Sequence, residues 1–327
     1  MNSTTDTIGA FPPPEGTTLN FTDPESIGYR VIIPAVVFPV LAIPFLLARL
    51  YAKYFLIKHL HIDDYSIILG WLFALANSIY EILQTRNGLG IHIWDLPIYE
   101  FTRFLRTGGT YGSILYNYGT LFTKVSILLF YQRLPADRHF RVVIYVVMFI
   151  TTGYCLSASY WFLYTCRPIR KFWDPTVPGT CVNMIANYLA NAALNAATDI
   201  VILILPIWLL WPLRLPARQK LGVTVVLMTG SFVCVVSIIR LAVVPSSLLN
   251  SPDFTWNSTS DTIWCIIELY TGIICACLPS LKILAKHHFP QIFTSHNERP
   301  DPSLDEYVGS PQQPQPRNNA YLPTLDG

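Results

Sequence analysis

Charge is what this sequence has least of. Asp, Glu, Lys and Arg make up 13% of its 327 residues, where a soluble domain carries roughly 25%. That composition argues against a soluble protein. The formal net charge is only +2 and no dense basic run occurs, so no nucleic-acid partner is expected. Residues 1–26 lack the apolar stretch of a cleaved signal peptide, so the first membrane helix is expected to direct its own insertion. A phosphate-binding glycine loop and a credible serine triad are both missing. His59, His61, His92, His139, His287, His288 and His296 all fall outside the apolar blocks, which denies an intramembrane zinc site its ligands. His59, His61 and Asp63 are close in sequence but read as a solvated loop. A retinal Schiff base needs a lysine deep in the last block, and Lys282 lies at its inner end. Neither metal, cofactor nor catalysis is expected.

What is present is apolar: 52% of residues are hydrophobic, gathered into blocks about 20 to 28 residues long. Such blocks match the ~30 Å hydrocarbon core at about 1.5 Å per helical residue. In lipid only helices and closed barrels satisfy their backbone groups, and the alternation of barrel strands is absent. The expected fold is an all-α polytopic membrane bundle of seven transmembrane helices. Their expected ranges are Tyr29–Ile57, Asp64–Leu83, Thr107–Arg133, Arg141–Tyr164, Met184–Trp211, Leu221–Val244 and Asp261–Ala285. Pro34, Pro39 and Pro44 predict kinks in the first. Residues 1–28 are expected to be a disordered extracellular tail, and residues 287–327, rich in Pro, Gln and Asn, a disordered cytoplasmic one.

Two signals predict that the N-terminus is outside and the C-terminus inside. With that orientation the inner flanks hold eleven Lys and Arg residues, Arg49, Lys53, Arg133, Arg214 and Lys220 among them, against seven on the outer flanks. The glycosylation sequons at Asn2, Asn20 and Asn257 all fall on the same outer side. Cys166 and Cys181 share an outer loop, 15 positions apart, and are read as a disulfide or as two free thiols. Cys155, Cys234 and Cys265 read as packing residues, and Cys275 and Cys277 as buried small residues or as sites of acylation.

Ionisable and amide groups inside a membrane are costly, and each is a candidate for function. Asn187, Asn191, Asn195 and Asp199 recur every four residues. At about 40° of turn per step they form one winding stripe. Ser113, Asn117, Thr120 and Lys124 make a matching face on another helix. Lys124 and Asp199 lie at comparable depths, as do Arg240 and Glu268, so both are candidate ion pairs. This polar interior is either a ligand cavity open to the outside or interhelical glue that fixes register.

Several ordered motifs carry a family resemblance over residues 28–286. They are Arg49-Leu50-Tyr51 with Asp63-Asp64-Tyr65, Gly88 through Asp95, Thr123 through Leu128 with Tyr131 and Arg133, and Cys166-Arg167-Pro168 with Gly179-Thr180-Cys181. Asn195 to Asp199, Arg240-Leu241 and Glu268 with Gly272 through Pro279 complete the set. With them the chain resembles the fungal seven-helix proteins described as rhodopsin-domain or Pth-type receptors. That resemblance implies a plasma-membrane sensor of an extracellular ligand acting through a heterotrimeric G protein. The eight-cysteine extracellular module of some members has no counterpart in residues 1–28. The Asp-Arg-Tyr and Asn-Pro-x-x-Tyr signatures of animal receptors are also absent. A small-solute or ion carrier and a non-signalling membrane scaffold remain the competing readings.

Overall fold

The computed structural model describes residues 9–288, except 15, 17, 108–110, 135–136, 174–175, 211–216 and 250–252. Asn2, Arg214 and the tail from Phe289 onward therefore lie outside the described residues. The helices are α1 (Tyr29–Tyr51), α2 (Ile62–Thr85), α3 (Ile98–Thr107), α4 (Ser113–Gln132), α5 (Arg138–Leu163), α6 (Met184–Leu210), α7 (Ala217–Leu249) and α8 (Phe254–His288). Two short strands, β1 (Cys166–Arg167) and β2 (Thr180–Cys181), pair antiparallel between α5 and α6.

Six helices among the described residues are long and apolar enough to cross a membrane: α1 with its π-helical extension to Ile57, then α2, α5, α6, α7 and α8. With 20 residues α4 has the length, but Asn117, Thr120, Thr123 and Lys124 dilute its apolar character. Its neighbours explain why it tolerates them, because α4 packs against α2, α5 and α8. Successive helices touch, α1 on α2, α2 on α4, α4 on α5 and so on to α8, which returns to α1 and closes the ring.

Apolar and polar residues are distributed as lipid demands. Val36, Val40, Leu47, Phe149, Met228 and Phe232 point outward, while Asn77, Asn117, Lys124, Asn195 and Arg240 are buried. The long helices also come close where side chains are small. A Cβ on Gly70 of α2 would sit 2.9 Å from Thr123 Oγ1 and 3.2 Å from the Thr123 backbone nitrogen on α4.

Three expectations are corrected. The helix expected over Thr107–Arg133 is α4, Ser113–Gln132, and Thr107 instead ends a separate short helix, α3, whose Phe104 is buried in the core. The described residues between 9 and 28, expected to be disordered, are fastened to the loop after α2: Ala10 N donates to Leu96 O at 3.0 Å, Asn20 N to Asp95 Oδ1 at 2.9 Å and Ile27 N to Gly90 O at 2.9 Å. Glycine is required at position 90, where φ is +86° and a Cβ would lie 2.7 Å from Gly28 N. Finally, Asp63 is not in a solvated loop but fully buried in the first turn of α2.

Candidate functional site

The site grows from four polar faces that the helical repeat points inward. On α4 this face carries Asn117, Thr120 and Lys124, and on α6 it carries Asn191, Asn195 and Asp199. Facing α7 and α8 add Ser237, Arg240, Asp261 and Glu268. At the centre Lys124 Nζ lies 2.8 Å from Asp199 Oδ1, 2.8 Å from Asn195 Oδ1, 2.9 Å from Asn195 O and 2.8 Å from Thr198 Oγ1. An ammonium has three protons, and this shell offers at least three acceptors for them.

The network continues across the bundle through a shared hydroxyl. Ser237 Oγ lies 2.6 Å from Asp199 Oδ2 and 2.8 Å from Glu268 Oε1. Asn195 Nδ2 also donates to Glu268 Oε1. The other Glu268 oxygen pairs with Arg240 Nη1 at 3.2 Å, and Arg240 Nε approaches Asp261 Oδ1 at 3.4 Å. The guanidinium stands 4.3 Å from the centroid of the Tyr116 ring and donates to the Tyr116 hydroxyl. Five helices are thereby tied through one layer of charge, because Tyr154 of α5 donates to Asn195 Oδ1 at 3.1 Å.

Two pockets adjoin this layer on opposite sides. The outer one, outer meaning the end of the bundle that holds the Cys166–Cys181 hairpin, encloses about 890 Å³ of atom-free space, part of it open to solvent, and Asn77, Glu81, Tyr116, Tyr188, Arg240 and Asp261 help line it. The inner one, about 650 Å³, is apolar apart from Lys124, Asp199 and Glu268 and the neighbouring threonines.

The fungal rhodopsin domain matches residues 48–287 of this sequence. The chain belongs to that family. Among relatives of this fungal rhodopsin domain, the SAT4 family membrane protein of Emericella nidulans is 28% identical over 250 residues, covering 72% of this chain and 62% of the relative. Fugralins biosynthesis cluster protein 2 of Gibberella zeae is 24% identical over 289 residues, 85% of this chain and 70% of its own. Receptor GIN3 of Arthrobotrys oligospora is 26% identical over 184 residues, 56% of this chain and 44% of its own. The chain thus spans under two thirds of the first and third of these. No solved structure matches it.

Within this rhodopsin domain most of the sequence-derived site residues meet. Lys124 pairs with Asp199 and Arg240 with Glu268, as their depths predicted. Asn191 Nδ2 donates to Asn117 Oδ1 at 3.2 Å, and Ser113 Oγ shares a hydrogen bond with Tyr188 OH at 2.8 Å. Thr120 lines the inner pocket. Asn187 is the outlier: it is half-buried at the outer end of α6, outside the charged layer. Cys166 and Cys181 are disulfide-bonded. Asn20 is exposed, whereas Asn257 sits inside α8 with Nδ2 donating to Asp253 O at 2.9 Å.

Sequence reasoning missed a second charged cluster at the other end of the bundle. Asp63 pairs with Arg49 at 2.6 Å, Lys53 at 3.7 Å and Arg133 at 2.5 Å, and Asp64 with Arg49 at 3.0 Å. The ligand atoms of His61, Asp63 and Asp64 lie within 4.8 Å of one another. Both carboxylates are already paired with cations, Arg49, Lys53 and Arg133 between them, so the group reads as an ion-pair cluster rather than a metal centre. The missed Asp261 was legible in principle: Asp261, Cys265 and Glu268 follow the same 4 and 3 spacing as the α4 face.

Proposed function

We propose that this protein is a receptor-like fungal membrane protein with seven membrane-crossing helices, its N-terminus outside and its C-terminus in the cytoplasm. A small extracellular ligand enters the outer pocket and alters the charged layer that floors it. The layer joins α4, α6, α7 and α8, so a change there moves the inner ends of α6 and α7 and the loops that a heterotrimeric G protein would read. Such coupling needs the ligand to favour one of two states by a few kcal/mol. No catalytic step is assigned.

The observation that carries this reading is the Lys124–Asp199–Ser237–Glu268–Arg240 chain lying between two pockets. Buried ionic networks are expensive in lipid and poor as glue, so a role in switching accounts for them better than packing does. The seventh crossing is α4, whose 20 residues span about 30 Å. The name Receptor GIN3 on one relative supports a sensing role. Outer placement of the exposed Asn20 and of the Cys166–Cys181 hairpin fits a plasma-membrane protein whose outer face matured in the secretory pathway.

The test is complementation. In a host strain deleted for this gene, transcriptional changes relative to wild type are restored by the native chain but not by Lys124→Ala or Asp199→Ala at matched membrane abundance. Full restoration by both variants sinks the reading. A carrier is the second reading, favoured by pockets stacked on both sides of one charged layer, and it requires saturable solute flux into vesicles holding the purified protein.

A further inference from the structure

We propose that the outer pocket takes a small organic cation: an ammonium head on an aromatic or similarly apolar body, with a hydrogen-bond acceptor at its far end. This deepens the receptor reading above by naming the class of ligand.

The first argument is charge. Around the outer pocket and its floor, the described residues place four carboxylates, Glu81, Asp199, Asp261 and Glu268, against two cations, Lys124 and Arg240. Both cations are committed. Lys124 is held by Asp199, and Arg240 by Glu268, Asp261 and the Tyr116 hydroxyl. Glu81 has no cationic partner among the described residues and faces the pocket. A half-buried carboxylate without a counter-charge carries a desolvation cost, and a cationic guest offsets it. An anionic guest would meet a pocket whose one lining cation is already saturated.

The second argument is independent of charge. Asn77 and Asn191 are almost wholly buried, both line the pocket, and each has a carbonyl oxygen without a partner. Unsatisfied buried acceptors are rare, and two in one cavity call for a donor-rich guest. Gln84 contributes the opposite signal. Its Oε1 accepts from Asn87 Nδ2 and Thr107 Oγ1, while its buried Nε2 has no partner. One protein donor thus awaits an acceptor on the guest.

The walls suit the body of such a molecule. Phe104 and Phe254 meet edge to face, with centroids 6.4 Å apart, and Tyr188 and Phe162 do the same at 5.0 Å. All four line the pocket. Aromatic faces attract a cation as well as an apolar chain.

The experiment uses the full chain in lipid nanodiscs and three matched probes: tyramine as the cation, tyrosol as its neutral analogue and 3-(4-hydroxyphenyl)propionate as the anion. Tyramine is expected to raise the unfolding temperature in proportion to the logarithm of its concentration, and the other two to leave it unchanged. E81Q is expected to weaken tyramine at least about tenfold, equivalent to about 1.4 kcal/mol. Carboxyl footprinting of the wild type gives a second readout that needs no variant: tyramine slows labelling of Glu81 and tyrosol does not. No tyramine shift in the wild type, equal shifts from tyrosol, or an undiminished shift in E81Q overturns the inference. The receptor reading fails separately. If tyramine binds through Glu81 while Lys124→Ala and Asp199→Ala both complement the deletion, the pocket is a cation site but not a switch.

Discussion

Arg133, at the C-terminal cap of α4, reaches Asp63 at the start of α2 and completes a carboxylate held by three cations. The three are not equivalent. Arg49 is buried and also donates to the Ala276 carbonyl on α8, whereas the Arg133 side chain is 33% exposed. Removing Arg49 strips a buried carboxylate pair of its main partner, and Arg49→Ala is expected to cost about 3–5 kcal/mol. Arg133→Ala is expected to cost about 1 kcal/mol or less, as for a partly solvated pair. Thermal unfolding of both variants in one detergent checks the order, and equal losses contradict it.

The central pair predicts strong coupling. Lys124→Ala and Asp199→Ala each leave a charge stranded among groups arranged for its partner. The double variant removes both and is expected to be less destabilised than the sum of the singles, by about 1–3 kcal/mol. A double-mutant cycle on unfolding temperature measures this. Strict additivity would mean the two side chains do not interact as the 2.8 Å contact indicates.

The outer hairpin predicts a stability effect of a different origin. Cys166 and Cys181 close a loop of 15 residues, for which chain-entropy arguments give about 3 kcal/mol. Cys166→Ser, Cys181→Ser and the double variant are expected to lose similar amounts, because the bond and not either thiol is the stabilising feature. Non-reducing gel mobility confirms the loss of the crosslink.

Orientation predicts a glycan. Asn20 is exposed, and its sequon precedes the first crossing. Glycosidase treatment is expected to shift the wild type on a gel and to shift Asn20→Gln less, with a C-terminal tag inaccessible in intact cells. Asn257 is half-buried within α8, and Thr259 of its sequon is buried too, so Asn257→Gln is expected to change the glycosidase shift little. A tag reachable from outside would invert the bundle and with it the role of the outer pocket.

What the sequence revealed and what it hid divide along a physical line. Helical periodicity places side chains by angle and depth, which is why Lys124 with Asp199 and Arg240 with Glu268 were legible from spacing alone. Periodicity says nothing about which faces of distant helices meet. Ser237 therefore carried no signal, although it bridges Asp199 to Glu268. Asp63 was misread for a related reason. An aspartate near the predicted end of an apolar block looks solvated, and only the convergence of Arg49, Lys53 and Arg133 from two other helical segments allows it to be buried. The N-terminal segment misled through composition: polar, proline-rich chain was taken for disorder, yet Ala10 and Ile27 are held by backbone bonds to the loop before α3.

The charged layer lies between the two pockets. Arg240 lines the outer one, Lys124 and Asp199 line the inner one, and Glu268 touches both Arg240 and the Ser237 hydroxyl that contacts Asp199. Occupancy of either pocket that repositions Glu268 changes the free energy of filling the other, and thermodynamic linkage makes the effect equal in both directions. A lipid tail or hydrophobic drug lodged beneath the charged layer would therefore tune affinity for an extracellular guest by the same factor as that guest tunes affinity for it. On the receptor reading proposed above, membrane composition would be a second input to the same switch.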